Sequence, residues 1–272
     1  MLFRSKQPIA ANRVPVQKER KKITRTFNKL NAAPLERKTL VERILETLTD
    51  YILTQKQPGD ELPSMEFLAN HFNVSVIAVR EAIRMLEAHG IIQVSSGKKA
   101  VVMPVNGDML KIYFQRLFSA DRQNELDLME FRSAIETHCV TLACRRRTSK
   151  EFALIQSTCE KMAAAIPDPV RYTELDLEFH YQVALASHNS VYAHLVSSMR
   201  EVIGASIRSS LAQRADVPSM QTSLQFHQRI VQAFQVHDIK AAEMAITAHF
   251  EDALYFLKKR LNALPAARSL RL

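Results

Sequence analysis

The chain has 272 residues with 47% apolar content, enough material for two ordinary domains. It has only 5 glycines and no tryptophan; with its many Ala, Leu, Glu and Arg residues, this favours a mostly helical protein. No apolar run approaches the roughly 20 residues of a membrane span, and the N-terminus lacks the apolar core of a signal peptide, so a cytoplasmic location with no membrane partner is expected.

The net charge of +9 is unevenly placed. Residues 1–39 carry 11 Lys/Arg against 2 Asp/Glu, and the remainder balances at 26 of each sign. Residues 1–35 contain Pro8, Pro15 and Pro34 and lack sustained periodicity, which reads as a basic mobile arm. Its run KERKKITR at 18–25 suits a polyanion, either nucleic acid or anionic lipid. A solvated tail that aids solubility is the plainer reading.

Helical spacing over 40–53 ends at the Pro58-Gly59 turn. Ser64 can cap a second helix over 65–72, closed by Asn73, and Ser75 can cap a third over 76–89, stopped by Gly90. In the third helix Val79, Ala82, Ile83 and Leu86 form the inward stripe, with Arg80 and Arg84 away from it. Residues 91–94 and 100–103 read as a hairpin around 95–99. The expected fold of residues 36–104 is therefore a winged helix-turn-helix with a small β-hairpin wing.

Beyond residue 107 the strand signal disappears. Residues 105–107 read as a hinge between domains. Amphipathic patterns over 108–119, 125–147, 150–165, 170–187, 190–213, 219–235 and 239–261 predict an antiparallel helical bundle spanning 108–262, with a tail at 263–272. Thr148 to Glu151 is a capping box, and Pro167-Asp168-Pro169 and Val217-Pro218 are breaks. Cys139, Cys144 and Cys159 sit at apolar helix positions without CxxC spacing, so buried reduced thiols are expected.

Reading the major groove requires a helix whose first turn reaches base edges. Here that turn offers Ser75, Val76, Ile77, Ala78 and Arg80, with Arg84 one turn on. Ser64 and Ser75, with the free amides of their helix starts, can hold phosphates, and the wing tip with Gly97 and Lys98 can follow the adjacent backbone. Arg80 can pair with a guanine edge or clamp a phosphate; a surface ion pair is the alternative. Residues 40–104 carry 6 Lys/Arg against 8 Asp/Glu, so phosphate contacts must come from a local patch, and the basic arm is a candidate supplier.

The segment PGDELPSMEFLANHFNVSVIAVREAIRMLEAHGII resembles the winged helix-turn-helix of the GntR family of bacterial transcription regulators. The shared marks are PG, LPS, LA, the VS before the recognition helix and VREA within it. That resemblance implies binding to double-stranded operator DNA, with Arg80 and the wing carrying over. The family commonly has Arg at the positions of Val76 and Glu66, so this chain departs at two DNA contacts. Val76, Ile77 and Ala78 can instead meet thymine methyls.

A second constellation is Asp176 and His180, four apart on one helix, with His227 and His249 on later helices. One carboxylate and three imidazoles suit a borderline metal, Zn²⁺ or else Ni²⁺ or Mn²⁺. The alternatives are a surface helix pair and a satisfied core histidine. Residues 108–260 resemble the FCD effector domain of FadR-type GntR regulators, through Arg132 and Glu136, the Asp176-x-x-Phe179-His180 element, Asn189 and the two late histidines. The resemblance implies that Asp176, His180, His227 and His249 ligate one divalent metal and that a small carboxylate effector binds at or beside it. Arg132, Asn189 and Arg208 are the candidate effector residues; His138, His188, His194 and His237 read as surface or capping histidines. The expected protein is a homodimeric, metabolite-responsive transcription regulator and not an enzyme, a repressor released by an organic acid or sugar acid. Two rival readings are a metal-dependent hydrolase, for which no general base is patterned, and a non-specific architectural DNA binder using the arm.

Overall fold

The computed structural model describes residues 38–95, 98–120, 123–214 and 217–263. The 1–35 arm, wing residues 96 and 97 with the candidate Gly97, and positions 264–272 of the tail lie outside the described residues.

Helix α1 is Leu40–Gln55. Thr39 opens it with a capping box: its hydroxyl accepts from the Glu42 amide at 3.2 Å, and the Glu42 carboxylate accepts from the Thr39 amide at 2.6 Å. Ile44, Leu48 and Ile52 form its buried stripe. Helices α2, Met65–Phe72, and α3, Val76–Ala88, complete the helix-turn-helix. Ser64 and Ser75 cap them as expected, accepting from the amides of Phe67 and Ala78 at 3.1 and 3.2 Å. Asn73 and Gly90 close the two helices with left-handed φ of 52° and 69°.

The wing pairs β1, Ile92–Gln93, antiparallel with β2, Val101–Val102. Both strands are shorter than the predicted segments, and a third segment joins them. Gly59 donates to the Val102 carbonyl at 2.8 Å, Val102 to Asp60 at 2.9 Å, and Leu62 to Ala100 at 2.8 Å. Residues 59–62 therefore run along the far edge of β2 and satisfy backbone groups that a lone hairpin would leave exposed. The head closes over one core in which Leu48, Leu62, Val79, Leu86 and Ile92 are almost fully buried.

Among the described residues seven helices follow: α4 Asp108–Ala120, α5 Gln123–Arg146, α6 Ser149–Ala164, α7 Pro169–Ala186, α8 Ser190–Arg214, α9 Val217–Gln235 and α10 Ile239–Ala263. Their ends fall within about two residues of the predicted ones, the usual uncertainty at frayed helix ends. The Thr148 capping box forms, and the break at 167–169 resolves into a helix start. Pro169 takes the first position of α7, and the Asp168 carboxylate accepts from the amides of Val170 and Arg171, each at 3.1 Å. The main core joins α5 to α10 around Phe179, Ile230, Phe234, Ile246 and Phe250. A smaller cluster of Phe114, Leu128, Met199 and Ile203 seats α4 on α5 and α8. Cys139, Cys144 and Cys159 are buried free thiols, and burial pushes Cys139 up to about 12 and Cys159 to about 11. Among the described residues no helix is long and apolar enough to cross a membrane.

Candidate metal centre and DNA-reading helix

The buried stripe of α7 includes Tyr172, Leu175, Asp176, Phe179, His180 and Val183. Asp176 and His180 thus occupy core positions, where an unpartnered carboxylate would be costly. His227 from α9 and His249 from α10 meet them there; one ligand atom from each of the four lies within 4.8 Å of every other. All four residues are buried, His227 completely. His227 Nε2 is 3.2 Å from Asp176 Oδ1 and 3.4 Å from His180 Nε2.

The outer ring nitrogens determine which atoms face inward. His227 Nδ1 lies 2.8 Å from the Ser223 carbonyl, which can only accept, so Nδ1 carries the proton and Nε2 is left as donor atom to the centre. His180 Nδ1 lies 2.6 Å from Glu136 Oε2, without the alignment of a full hydrogen bond, and its Nε2 likewise points inward. Burial, then the neighbouring His227 and His180 rings, hold His249 well below the ordinary histidine range, so its ring is neutral with a free lone pair. Burial works to raise Asp176, but close contact with the His227, His180 and His249 rings overcomes it and holds the carboxyl below its ordinary range. Three imidazole nitrogens and one carboxylate oxygen converge here on a common point in the core. That donor set fits a borderline divalent cation, which would relieve the crowding of lone pairs.

Glu136, on α5, organises the surround. Its Oε1 accepts from Arg132 Nε at 2.8 Å, one helical turn away, and both side chains are buried. Burial would raise the Glu136 carboxyl, but the Arg132 guanidinium and the His180 ring bring it down to about 2. The Arg132 guanidinium carbon lies 5.3 Å over the Phe250 ring, and Nη1 has only the Met129 sulfur at 3.9 Å among the described residues. Beside it opens a cavity of about 110 Å³ whose polar lining includes Arg132, Asp176 and His249 and whose apolar lining includes Met129, Ile207 and Leu257.

The other two candidate effector residues stand elsewhere. Asn189 caps α8, its side-chain oxygen accepting from the amides of Val191 and Tyr192 at 3.1 and 3.4 Å. Arg208 is exposed and lies against Gly204, outside the lining of the cavity. Glu136 was visible only as a family mark, although its i, i+4 spacing from Arg132 on a buried face was a usable signal. Tyr172 and Ser223, which also line the cavity, carried no signal in the sequence. Of the remaining histidines, His188 and His237 have left-handed φ of 51° and 56° just after α7 and α9. His188 contacts Glu151 at 3.0 Å, and His237 donates to the Cys144 carbonyl at 2.9 Å.

In the DNA head, Ile77, Arg80 and Arg84 are exposed, and Val76 is half-buried. Among the described residues neither arginine has a carboxylate partner. Lys98 is exposed, whereas Lys99 is paired with Glu61 at 3.0 Å.

Residues 40–102 match the sequence profile of the bacterial regulatory proteins of the gntR family, and residues 127–252 match that of the FCD domain. The chain is 28% identical over 205 residues to the HTH-type transcriptional regulator LutR of Bacillus subtilis, covering 73% of this chain and 93% of that protein. It is 28% identical over 182 residues to the Glc operon transcriptional activator of Escherichia coli, covering 65% of this chain and 72% of that one. It is 26% identical over 224 residues to the HTH-type transcriptional repressor NanR of Salmonella newport, covering 81% and 86%. A solved GntR structure from Streptococcus agalactiae superimposes with a TM-score of 0.62 at 25% identity, covering 79% of this chain and 99% of that one. These relatives are transcription regulators and not enzymes, and they lend the hydrolase reading no support. The chain belongs to the GntR family of bacterial DNA-binding transcription regulators, with an FCD domain as its metabolite-responsive half.

Proposed function

We propose that this regulator is a homodimer that represses through a pseudo-palindromic operator and is released by a small organic acid or sugar acid bound beside a metal. The observation that carries the proposal is the buried Arg132, held by Glu136 on one side and open on the other to a cavity that also reaches Asp176 and His249. Asp176, His180, His227 and His249 would hold the ion, with Zn²⁺ first and Ni²⁺ or Mn²⁺ as alternatives. When bound, an ion with open positions takes carboxylate oxygens in place of water. Arg132 supplies a fixed charge for the same carboxylate, Phe250 and Glu136 hold the guanidinium in place, and the apolar lining excludes water.

Helix α8 supports a route from the cavity to the DNA head. It contributes Ser206 and Ile207 to the cavity lining, and in the one to two turns before them it carries Met199 and Ile203, the seat of α4. Gly107, at the start of α4, lies so close to α8 that an added Cβ would stand 3.1 Å from the His194 carbonyl and 3.2 Å from Ser198 Cβ. Lys111 and Gln115 of α4 both bind Glu201. An effector that prefers one position of α8 therefore shifts the attachment of the linker, and with it the spacing of the two heads. The dimer is supported by Met109, Ile112 and Tyr113, at 50, 53 and 58% exposure on one face of α4, which a second copy would cover.

The test is a gel shift with the chain's own upstream region. Zn-loaded full-length protein is titrated at fixed salt with and without 2-hydroxy acids and sugar acids. A salt-sensitive, sequence-preferring complex that at least one acid weakens is expected. A complex indifferent to every acid, together with an unchanged melting temperature, would sink the effector reading.

A further inference from the structure

We infer that Ile77 is a specificity-determining residue of this head and that it selects thymine through the base's 5-methyl group. The inference rests on the DNA-reading role of the family and is independent of the metal centre.

The faces of α3 are sharply sorted. Val79, Ala82, Ile83 and Leu86 are buried to 2% exposure or less, whereas Ile77 is 74% exposed. Ile77, Arg80 and Arg84 stand at i, i+3 and i+7, so they share one edge of the helix. Ile77 is in the first turn, the part of a recognition helix that approaches base edges. Of the three apolar residues at this helix start, Val76 and Ala78 are half-buried and packed against the core of the head. Ile77 is the one that projects fully. The fold does not use it, since it belongs neither to the core of the head nor to the residues packed against it.

The two arginines behind it are also available. Neither has a carboxylate partner among the described residues, although other surface cations of the head do: Lys38 pairs with Glu46 at 2.6 Å and Lys99 with Glu61 at 3.0 Å. The exposed edge of α3 thus presents a branched hydrocarbon at its leading end and two cations behind it. In the major groove only thymine presents a hydrocarbon group; the other bases show acceptors or amino groups. Against Ile77 those polar edges would lose water without gaining a partner, so hydrocarbon selects both for the methyl and against its competitors. One buried methyl is worth about fourfold in affinity.

The experiment isolates that methyl. Full-length protein selects sites from a random duplex library, and each thymine of the consensus is then replaced by deoxyuridine, which removes the methyl alone. One thymine per half-site is expected at which replacement weakens wild-type binding about fourfold. Ile77→Ala should bind both duplexes equally at that position, and Arg80→Ala should keep the discrimination while binding more weakly. Because Ile77 is exposed, the melting temperature of Ile77→Ala should stay at the wild-type value, which excludes misfolding as the cause. The inference is overturned if no thymine of the consensus is methyl-sensitive, or if Ile77→Ala keeps the full sensitivity. If the chain selects no sequence at all, the DNA-reading account falls with it, a result distinct from a selected but methyl-insensitive site.

Discussion

Replacing Glu136 with glutamine tests how the centre is held together. The substitution keeps the size of the side chain and removes the charge between Arg132 and His180. In the native chain burial alone would raise the Glu136 carboxyl, yet the guanidinium and the imidazole bring it from an ordinary 4.5 down to about 2. A fall of that size corresponds to about 3 kcal/mol in favour of the ionised form. Breaking a buried ion pair outright costs about 3–5 kcal/mol, but glutamine still offers Arg132 Nε an acceptor, so a loss of about 2–3 kcal/mol is expected. For a helical domain of this size that lowers the melting temperature of the metal-free protein by roughly 5–10 °C. A second effect acts on the ligand itself. An amide NH₂ facing His180 Nδ1 donates to it, moving the ring proton to Nε2 and removing the inward lone pair. Zinc affinity should then fall about 10–100-fold. Thermal melts of metal-free protein and chelator competition for Zn²⁺ measure the two effects separately. An unchanged melting temperature together with unchanged zinc affinity would refute the assignment of Glu136 as the organiser of the site.

Three further outcomes follow from the same geometry, and a fourth from the charge of the N-terminal arm. Because the Glu136 pKa is depressed, its stabilisation is complete above about pH 4.5 and is lost as the pH falls toward about 2. Metal-free wild type should lose melting temperature over that window, and Glu136→Gln should lose less; parallel curves would contradict the shift. Gly107→Val places methyls against the His194 carbonyl and Ser198, at an overpacking cost of about 1–3 kcal/mol. It should blunt the effector's influence on operator affinity while leaving zinc affinity intact, as read by anisotropy and chelator competition. Tyr113→Glu puts a charge on the exposed apolar face of α4 and should shift the protein from dimer to monomer in light scattering. Deleting residues 1–35 should weaken operator binding and lower its salt dependence while keeping the sequence preference; loss of all binding would favour the non-specific architectural reading.

Much of this molecule is legible in its residues, for identifiable reasons. The helix starts at Ser64, Ser75 and Thr148 were readable because capping is local: the side chain and the amides it accepts from lie within three residues. The four candidate ligands stood out as one carboxylate and three imidazoles, Asp176 and His180 one turn apart on one helix, and the resemblance to the FCD domain joined His227 and His249 to them; the fold brings the four together. The third wing segment was not, because residues 59–62 pair with β2 about forty positions away and no local pattern encodes that pairing. Arg208 and Asn189 show the same limit from the other side. Their types suit a carboxylate, but rotation along α8 turns Arg208 outward, and Asn189 is used by the amides of the helix it caps. Arg132 differs from them because the apolar face of α5 carries it into the core, where Glu136 answers its charge.

On the proposed function, Asp176, His180, His227 and His249 form one metal centre. The most direct measurement is elemental analysis of protein purified without chelator and of the same protein reloaded with Zn²⁺. One ion per chain in the wild type and essentially none in His227→Ala is the predicted result. A wild type that takes up no ion at any loading, or a His227→Ala chain that keeps its ion, would contradict the account.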